Sequence, residues 1–147
     1  MKPMIRLLRL LFAATLLWSL FGPAAAQDVE ASDMVRGGMQ AIQMIDQGKA
    51  GELWDGATPA ARKRETRADF LSQTTRSRAA LGAPQMRTWV TVNRQVLTDP
   101  DGDLAGQYVS IEYETRFANK SEGTLRELVS FHLDRDRIWR FSGYVLR

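Results

Sequence analysis

The chain has 147 residues, enough for one domain with a substantial hydrophobic core. It contains no cysteine, which excludes disulfides, thiolate metal sites, thiol nucleophiles and a lipid anchor on cysteine. The formal net charge of +3 comes from 20 Lys and Arg against 17 Asp and Glu, and residues 1–26 carry the whole excess. Without that segment the domain is neutral, so it has no global field that would attract nucleic acid or an anionic membrane.

Residues 1–26 have the three parts of a secretory signal peptide. Lys2, Arg6 and Arg9 form a cationic start, residues 10–21 are apolar, and Ala24–Ala26 is a small-residue cleavage pattern. The apolar part is shorter than the roughly 20 residues that a membrane-spanning helix needs. We therefore predict a cleaved signal peptide, a periplasmic or secreted protein without stable membrane insertion, and a single domain over residues 27–147.

The first half of this domain has helical patterns, over about residues 32–82. Apolar residues recur at helical spacing from Ser32 to Gln47, although Gly37-Gly38 interrupts them, so either the helix begins later or another backbone approaches there. A second helix is predicted from Lys49 to Ala57, and Thr58-Pro59 caps a further turn. Thr66 and Asp69 form a capping box for the next helix, which ends by Gly82.

The second half, about residues 86–146, alternates as strands do. Four strands are predicted, at residues 86–97, 107–117, 125–133 and 138–146, joined by short turn-forming links. Such links produce an antiparallel meander whose apolar face the helices must cover. The sequence therefore predicts an α+β fold, with N-terminal helices packed on a curved four-stranded antiparallel sheet.

Alternation along each strand assigns the two faces of the sheet. The predicted inner rows are Val90, Val92 and Val96; Val109, Ile111, Tyr113 and Phe117; Val129, Phe131 and Leu133; and Trp139, Phe141 and Val145. The opposite face is predicted to be solvent-exposed and to carry Ser110, Glu112, Glu114, Arg116, Arg126, Ser130 and His132.

Several tracts resemble the exported bacterial family DUF4019. They are Asp46–Gly48, Trp54, Arg78–Gly82, residues 106–120 (GQYVSIEYETRFANK), Glu127, Trp139–Tyr144 and Arg147. The family has no established activity, so the resemblance implies no reaction or cofactor. Its helices-then-sheet order is similar to the cystatin-like or nuclear transport factor two-like cone that ketosteroid isomerase also adopts. An architecture of this kind does not fix function.

Two charged residues fall on the predicted apolar face of the sheet, among the residues that face the core. Arg94 falls in the row of Val92 and Val96, and Glu127 in the row of Val129. With Tyr113 and Trp139 they form our predicted ligand site, in which Glu127 is the acid/base or hydrogen-bond acceptor and Arg94 holds an anionic group. Glu127→Gln is then expected to abolish ligand retention and leave the fold intact. The alternatives are a structural ion pair or charges at the rim.

The other candidate motifs favour plain structural roles. His132 is predicted to be solvated, because it has no partners at metal or triad spacing. Asp99–Asp103 is a turn that lacks the glycine and glutamate of a calcium loop. Arg62–Arg64 and Arg67 are a solvated helix surface, with an anionic envelope component as the alternative contact. We predict no metal and no cofactor.

The sequence therefore predicts a small exported binding or interaction domain, with either a modest pocket between helices and sheet or a protein-contact surface. Its partner is an unknown small molecule or an envelope protein, a homodimer is a further alternative, and nucleic acid is not expected. The second hypothesis is a ketosteroid isomerase-like enzyme that acts on a small apolar substrate through Glu127 and Tyr113. An enzyme requires a closed cavity of roughly 300 Å³ or more that the carboxylate faces. A contact domain requires only an exposed patch, for example around Tyr108, Leu128 and Tyr144.

Overall fold

The structure is a computed structural model and describes residues 29–99, 102 and 104–147. The predicted signal peptide lies outside the described residues. The helices are α1 (Ala31–Asp46), α2 (Ala50–Asp55), α3 (Pro59–Arg64) and α4 (Arg67–Arg78), and the strands are β1 (Pro84–Leu97), β2 (Gly106–Phe117), β3 (Leu125–Leu133) and β4 (Trp139–Leu146). Among the described residues, no helix combines the length and apolarity needed to cross a bilayer.

The four strands form one antiparallel sheet in the order β1-β2-β3-β4. The predicted α+β class and the meander are confirmed, whereas the finer likeness to a cone-shaped fold stays a prediction. The N-cap half of the predicted capping box is present: the Thr66 hydroxyl accepts a hydrogen bond from the Asp69 N–H at 3.1 Å. This bond satisfies one of the free donors at the start of α4.

The core lies between the helices and one face of the sheet. Ile42 of α1 is fully buried with Val109, Ile111 and Val129 of the central strands. An aromatic row closes one end of the core, where the Phe70 ring lies 5.3 Å from Trp54 and 5.7 Å from Phe141 between ring centroids. These contacts join α2, α4 and β4, so the helices cover the sheet as one layer.

The glycine pair inside α1 has a packing reason. The helix runs through Gly37-Gly38 without a break. A Cβ at Gly38 would overlap the hydroxyl of Tyr113, which donates a 2.5 Å hydrogen bond to the Val35 carbonyl. A close approach occurs here, but a tyrosine side chain makes it, not the backbone that the sequence led us to expect.

The sheet has three register irregularities, one of them at the start of β1 between Pro84 and Met86, and the other two change which residues face the core. In β1, Trp89 is opposite Tyr113 and Thr91 is opposite Glu112, so Val90 is an extra residue. In β4, Phe141 and Gly143 are opposite consecutive residues of β3, so Ser142 is extra. Because an extra residue reverses the alternation, three of our face assignments are wrong: Val145 faces outward, Tyr144 faces inward, and Val90 is an exposed bulge residue instead of a member of an inner row. Arg87 also faces inward, opposite buried Thr115.

Candidate functional site

Glu127, the central residue of the predicted site, is completely enclosed. It lies in β3 opposite Tyr113, and its side chain has no exposed surface. Its Oε2 accepts hydrogen bonds from Arg87 Nε at 2.6 Å and from the Thr115 hydroxyl at 2.5 Å. Its Oε1 accepts one from the Tyr144 hydroxyl at 2.7 Å. Protein groups therefore occupy both oxygens, and no solvent reaches the carboxylate.

A second carboxylate and a second guanidinium extend this arrangement. Asp46, at the end of α1, accepts hydrogen bonds from Arg87 at 2.9 and 3.3 Å and one from Arg78. Arg78 Nη1 also lies 3.7 Å from Glu127 Oε1, and its guanidinium sits 5.5 Å from the centre of the Phe117 ring. We call Asp46, Arg78, Arg87, Thr115, Glu127 and Tyr144 the Glu127 cluster. Its two positive and two negative groups balance.

The protonation behaviour of the cluster follows from burial and charge. Burial raises the pKa of the Tyr144 hydroxyl well above its usual value, and the charge of Glu127 adds to the increase. Burial also raises the pKa of Tyr113. Burial alone would lower the pKa of Arg87, but hydrogen bonds to Asp46 and Glu127 outweigh it and the pKa rises. Both phenols therefore stay neutral and the Arg87 guanidinium stays charged, as a fixed ionic network requires.

The structure does not bring Arg94 to Glu127. Arg94 is opposite Val109, four residues along β2 from Tyr113, which corresponds to about 13 Å. Its side chain is exposed and donates to the Val29 carbonyl. Arg94 and half-buried Trp139 line a shallow cleft of about 210 Å³ at that end of the sheet. The expected convergence of Arg94 and Trp139 on Glu127 and Tyr113 is therefore wrong, and a ligand-binding role for these residues stays a prediction.

Sequence reasoning missed the actual partners of Glu127. Strict alternation predicts that Arg87 and Tyr144 face outward. A β-bulge reverses the faces, and the sequence pattern of a strand does not show where a bulge occurs. Asp46, Arg78 and Tyr144 all belong to tracts that carry the family resemblance. That coincidence was the signal that could have grouped them with Glu127.

His132 is buried, not solvated as the sequence predicted. Its Nδ1 lies 2.7 Å from Asp134 Oδ1 and its Nε2 lies 3.1 Å from the Ala105 carbonyl. The ring also packs on Tyr108, with 4.7 Å between centroids. The error arose because Leu104 and Ala105, just before β2, contact the side chains of Tyr108 and His132 on the outer face, which strand parity cannot show. Tyr108 is buried for the same reason and Tyr144 faces inward, so of the proposed patch around Tyr108, Leu128 and Tyr144 only Leu128 stays on the outer face.

Asp134 joins this histidine to neighbouring elements. It accepts hydrogen bonds from Thr58, at 2.6 Å, and from Arg140, at 2.8 Å. Burial alone would raise the pKa of Asp134, but hydrogen bonds donated by Thr58, His132 and Arg140 hold it below its usual value. These residues form one wall of an open cleft of about 730 Å³, which we call the Thr58 cleft. The cleft is also lined by Pro59, Ala60, Arg62, Lys63, Gly102, Ala105, Gly106, Leu133, Arg135 and Asp136.

The most exposed apolar surface lies along β1. Five of the seven large apolar side chains exposed among the described residues belong to this strand: Met86, Trp89, Val90, Val96 and Leu97. Trp89 is 55% exposed and Val96 74% exposed. In the part of the chain that the structure describes, β1 pairs only with β2, so its other edge has no strand partner. We call this surface the β1 apolar edge.

The opposite edge of the sheet is better protected. Along β4 the Thr58 N–H donates to the Phe141 carbonyl at 2.8 Å, so the start of α3 covers part of that edge. Natural sheets usually shield their edges with charges, prolines or covering loops, because a bare edge pairs with other strands. In β1 the proline is at the first residue and Arg94 is the exposed charge. Among the described residues, the β1 apolar edge therefore lacks the backbone cover that part of the β4 edge has.

Comparison with known proteins assigns a family but no chemistry. No group of three His, Cys, Asp or Glu side chains among the described residues could hold a metal ion. No curated protein and no solved structure gives a significant match. Residues 37–144 match the family described as "Protein of unknown function (DUF4019)". This match covers most of the chain and includes every member of the Glu127 cluster, so the protein belongs to the DUF4019 family.

Proposed function

We propose that this protein is an exported interaction domain that captures an extended segment of another envelope protein along the β1 apolar edge. The observation that carries the proposal is the concentration of exposed Trp89, Val90, Val96 and Leu97 on an edge strand. An added strand would pair with the backbone of β1 and cover apolar side chains on both faces. Export follows from the signal-peptide pattern of residues 1–26.

The enzymatic hypothesis lacks support in the site. A general base must reach the proton that it removes. The Glu127 carboxylate is fully buried and hydrogen-bonded to Arg87, Thr115 and Tyr144, and the Tyr113 hydroxyl is engaged by the Val35 carbonyl. Among the described residues, neither group lines the Thr58 cleft, the cleft beside Arg94 or either of two clefts along α4, whereas an isomerase-like reaction would need a closed apolar cavity.

A site-specific photocrosslinking experiment tests the proposal. A benzophenone amino acid is placed at Gln95, exposed on β1, or at Gln43, exposed on α1 as the control. The protein is expressed in full so that it is exported, and crosslinks are identified by mass spectrometry. We expect a protein adduct from position 95 and none from position 43.

A matched pair of variants shows whether the adduct depends on the apolar edge. Val96→Lys places a charge on β1, and Val145→Lys places the same charge on an exposed valine of β4. Val96→Lys is expected to abolish the adduct from position 95, and Val145→Lys to retain it. Equal adducts from both crosslinker positions, or an adduct that survives Val96→Lys, would contradict the proposal.

Small-molecule binding in the Thr58 cleft is a second candidate function. Its volume of about 730 Å³ lies within the range of about 300–1,000 Å³ that is typical of ligand sites. Ala60→Trp would fill the cleft, and Ala68→Trp is the control, because Ala68 is exposed and also the second residue of its helix. Native mass spectrometry of the exported protein should show a bound small molecule that Ala60→Trp removes and Ala68→Trp keeps. A bound mass that persists in Ala60→Trp would exclude this cleft.

A further inference from the structure

We propose that a cleft beside α4 binds an uncharged small molecule with an amide group and an apolar body. The cleft has a volume of about 450 Å³ and is formed by the end of α1, the start of α2, the second half of α4 and the link from α4 to β1. We call it the α4 cleft. Asp46 and Arg78 of the Glu127 cluster lie in its wall. The inference goes beyond the proposed function, because no residue of the β1 apolar edge lines this cleft.

The size and the walls of the α4 cleft suit a small molecule. Its volume of about 450 Å³ falls within the range of about 300–1,000 Å³ that is typical of ligand sites. The link from α4 to β1 is held to the end of β2, because the Ala118 N–H donates to the Ala83 carbonyl at 2.9 Å. On the other side, the Lys49 N–H donates to the Met44 carbonyl at 2.7 Å and closes the turn after α1. The walls are therefore formed before any ligand binds.

One side of α4 faces the cleft instead of the core. The buried residues of this helix are Phe70 and Thr74. Leu71, Thr75 and Arg78 follow one another at helical spacing and line the cleft. Leu71 is half-buried and Thr75 is exposed. The Leu71 side chain can therefore contact the apolar body of a ligand, while Arg78 contacts its polar end.

The guanidinium of Arg78 has more donors than acceptors. Its side chain is 13% exposed, and among the described residues its hydrogen bonding is limited to the bond from Nη2 to Asp46. Nη1 is buried without a hydrogen-bond partner, 3.7 Å from Glu127 Oε1. An arginine carries five N–H donors, and buried donors without an acceptor are costly. The Arg78 end of the cleft therefore favours a ligand with a carbonyl oxygen.

Asp46 supplies an acceptor next to this donor. Its side chain is 17% exposed. Its Oδ1 accepts hydrogen bonds from Arg78 and Arg87, and its Oδ2 accepts one from Arg87 at 2.9 Å. A carboxylate has about four lone-pair sites, so Asp46 can accept a further N–H. An amide presents a carbonyl oxygen and an N–H from one planar group, so it complements Arg78 and Asp46 together.

The charge balance of the Glu127 cluster disfavours a charged ligand. Its two guanidinium groups and two carboxylates neutralise one another. A carboxylate in the cleft would lie beside Asp46, and a cation would lie beside Arg78. A ligand of either sign therefore meets a like charge in the same ion pair, which is unfavourable. An uncharged amide avoids both contacts.

A set of probes with the same shape and different charge tests the inference. Cyclohexanecarboxamide is neutral, cyclohexanecarboxylate is an anion and cyclohexanecarboxamidine is a cation at neutral pH. Each is titrated into the ¹⁵N-labelled exported protein, and backbone amide shifts are followed by NMR. We expect cyclohexanecarboxamide to shift Gly48, Thr75, Ala79 and Gly82, and to bind about tenfold more tightly than either charged probe.

Two adjacent alanines provide matched variants. Ala79 lines the cleft and Ala80 does not, and both are exposed. Ala79→Trp is expected to weaken the binding of cyclohexanecarboxamide about tenfold or more, because the indole occupies the space of the ligand, and Ala80→Trp is expected to leave it unchanged. Circular dichroism measures whether each variant is folded.

Each outcome decides one part of the inference. Equal or tighter binding of a charged probe would overturn the uncharged amide as the ligand group. Absence of shifts at the four named residues, or equal binding by Ala79→Trp and Ala80→Trp, would overturn the site. The comparison of probes uses the unchanged protein, so it decides the ligand class even where a variant does not fold. Strand capture is tested by the crosslinks from position 95, and none of these titrations affects it.

Discussion

At the scale of single residues, Glu127 shows how a small core accommodates full charges. A buried ion is costly unless its partners compensate for the lost hydration. Here each Glu127 oxygen has at least one donor within 2.7 Å, and Asp46 balances the second guanidinium. Such an arrangement gives little net stabilisation, but removing one member exposes the full cost of the others.

We therefore expect Glu127→Gln to destabilise the fold rather than to remove a ligand. The substitution leaves buried Arg87 without one of its two carboxylates, and losing one partner of a buried pair typically costs about 3–5 kcal/mol. Urea unfolding of the wild type and the variant measures this loss. Glu114→Gln is the control, since Glu114 pairs with Arg126 at the surface and such pairs contribute about 1 kcal/mol or less. Equal losses in the two variants would contradict the structural role of Glu127.

The lowered pKa of Asp134 has a consequence for acid stability. A carboxyl group whose pKa is lower in the folded state stabilises the fold above its unfolded pKa, and this contribution disappears as the pH falls through the folded pKa. We expect Asp134→Asn to be less stable than the wild type at pH 7, because Asp134 anchors Thr58, His132 and Arg140. The difference should shrink as the pH is lowered below about 4. Urea unfolding across this range measures it, and a difference independent of pH would be the opposing result.

At the scale of elements, the sequence predicted where the helices and strands lie. It did not predict which side chains of the edge strands β1 and β4 face the core. The bounds of β3 agree at both ends, and those of β1 at its C-terminal end. Periodicity and turn residues suffice for this, since they report local preferences. The inward turn of Arg87 and Tyr144 depends on one extra residue in each edge strand, and tertiary pairing fixes its position. The contact of His132 with Ala105, 27 residues earlier in the chain, is likewise a long-range effect.

Replacing the two adjacent glycines of α1 one at a time distinguishes the effect of helix propensity from the effect of packing. Gly37→Ala is expected to stabilise the protein by about 0.5–1 kcal/mol, because alanine favours the helix and its Cβ would lie 3.8 Å from Phe131, an ordinary contact. Gly38→Ala is expected to destabilise it by about 1–2 kcal/mol, because the new methyl group would overlap the Tyr113 hydroxyl. Thermal unfolding of both variants compares them. Similar gains would show that Tyr113 does not pack on α1 as described.

At the scale of the whole molecule, the predicted removal of residues 1–26 would change the net charge. Lys2, Arg6 and Arg9 account for the excess of +3 in the full chain, whose sequence pI is about 9.6. A neutral domain depends on shape and apolar contact for recognition more than on long-range attraction. The β1 apolar edge is consistent with that mode of binding.

Processing after Ala26 can be tested directly. We expect the protein recovered from the periplasm or medium to begin at Gln27 and to focus near neutral pH, because cleavage removes three cations and no anion. Intact mass spectrometry and isoelectric focusing measure the two properties. Recovery of a species that retains residues 1–26 and focuses near the precursor value would refute the predicted cleavage.

The Glu127 cluster also determines how the chain responds to a cut between Leu97 and Gly106. One fragment would keep Asp46, Arg78 and Arg87, and the other would keep Glu127 and Tyr144. Neither piece alone can neutralise its buried charges, whereas the two together can rebuild the ladder between β1 and β2. Nicked protein should therefore elute as a single non-covalent heterodimer, and separately produced halves should complement each other.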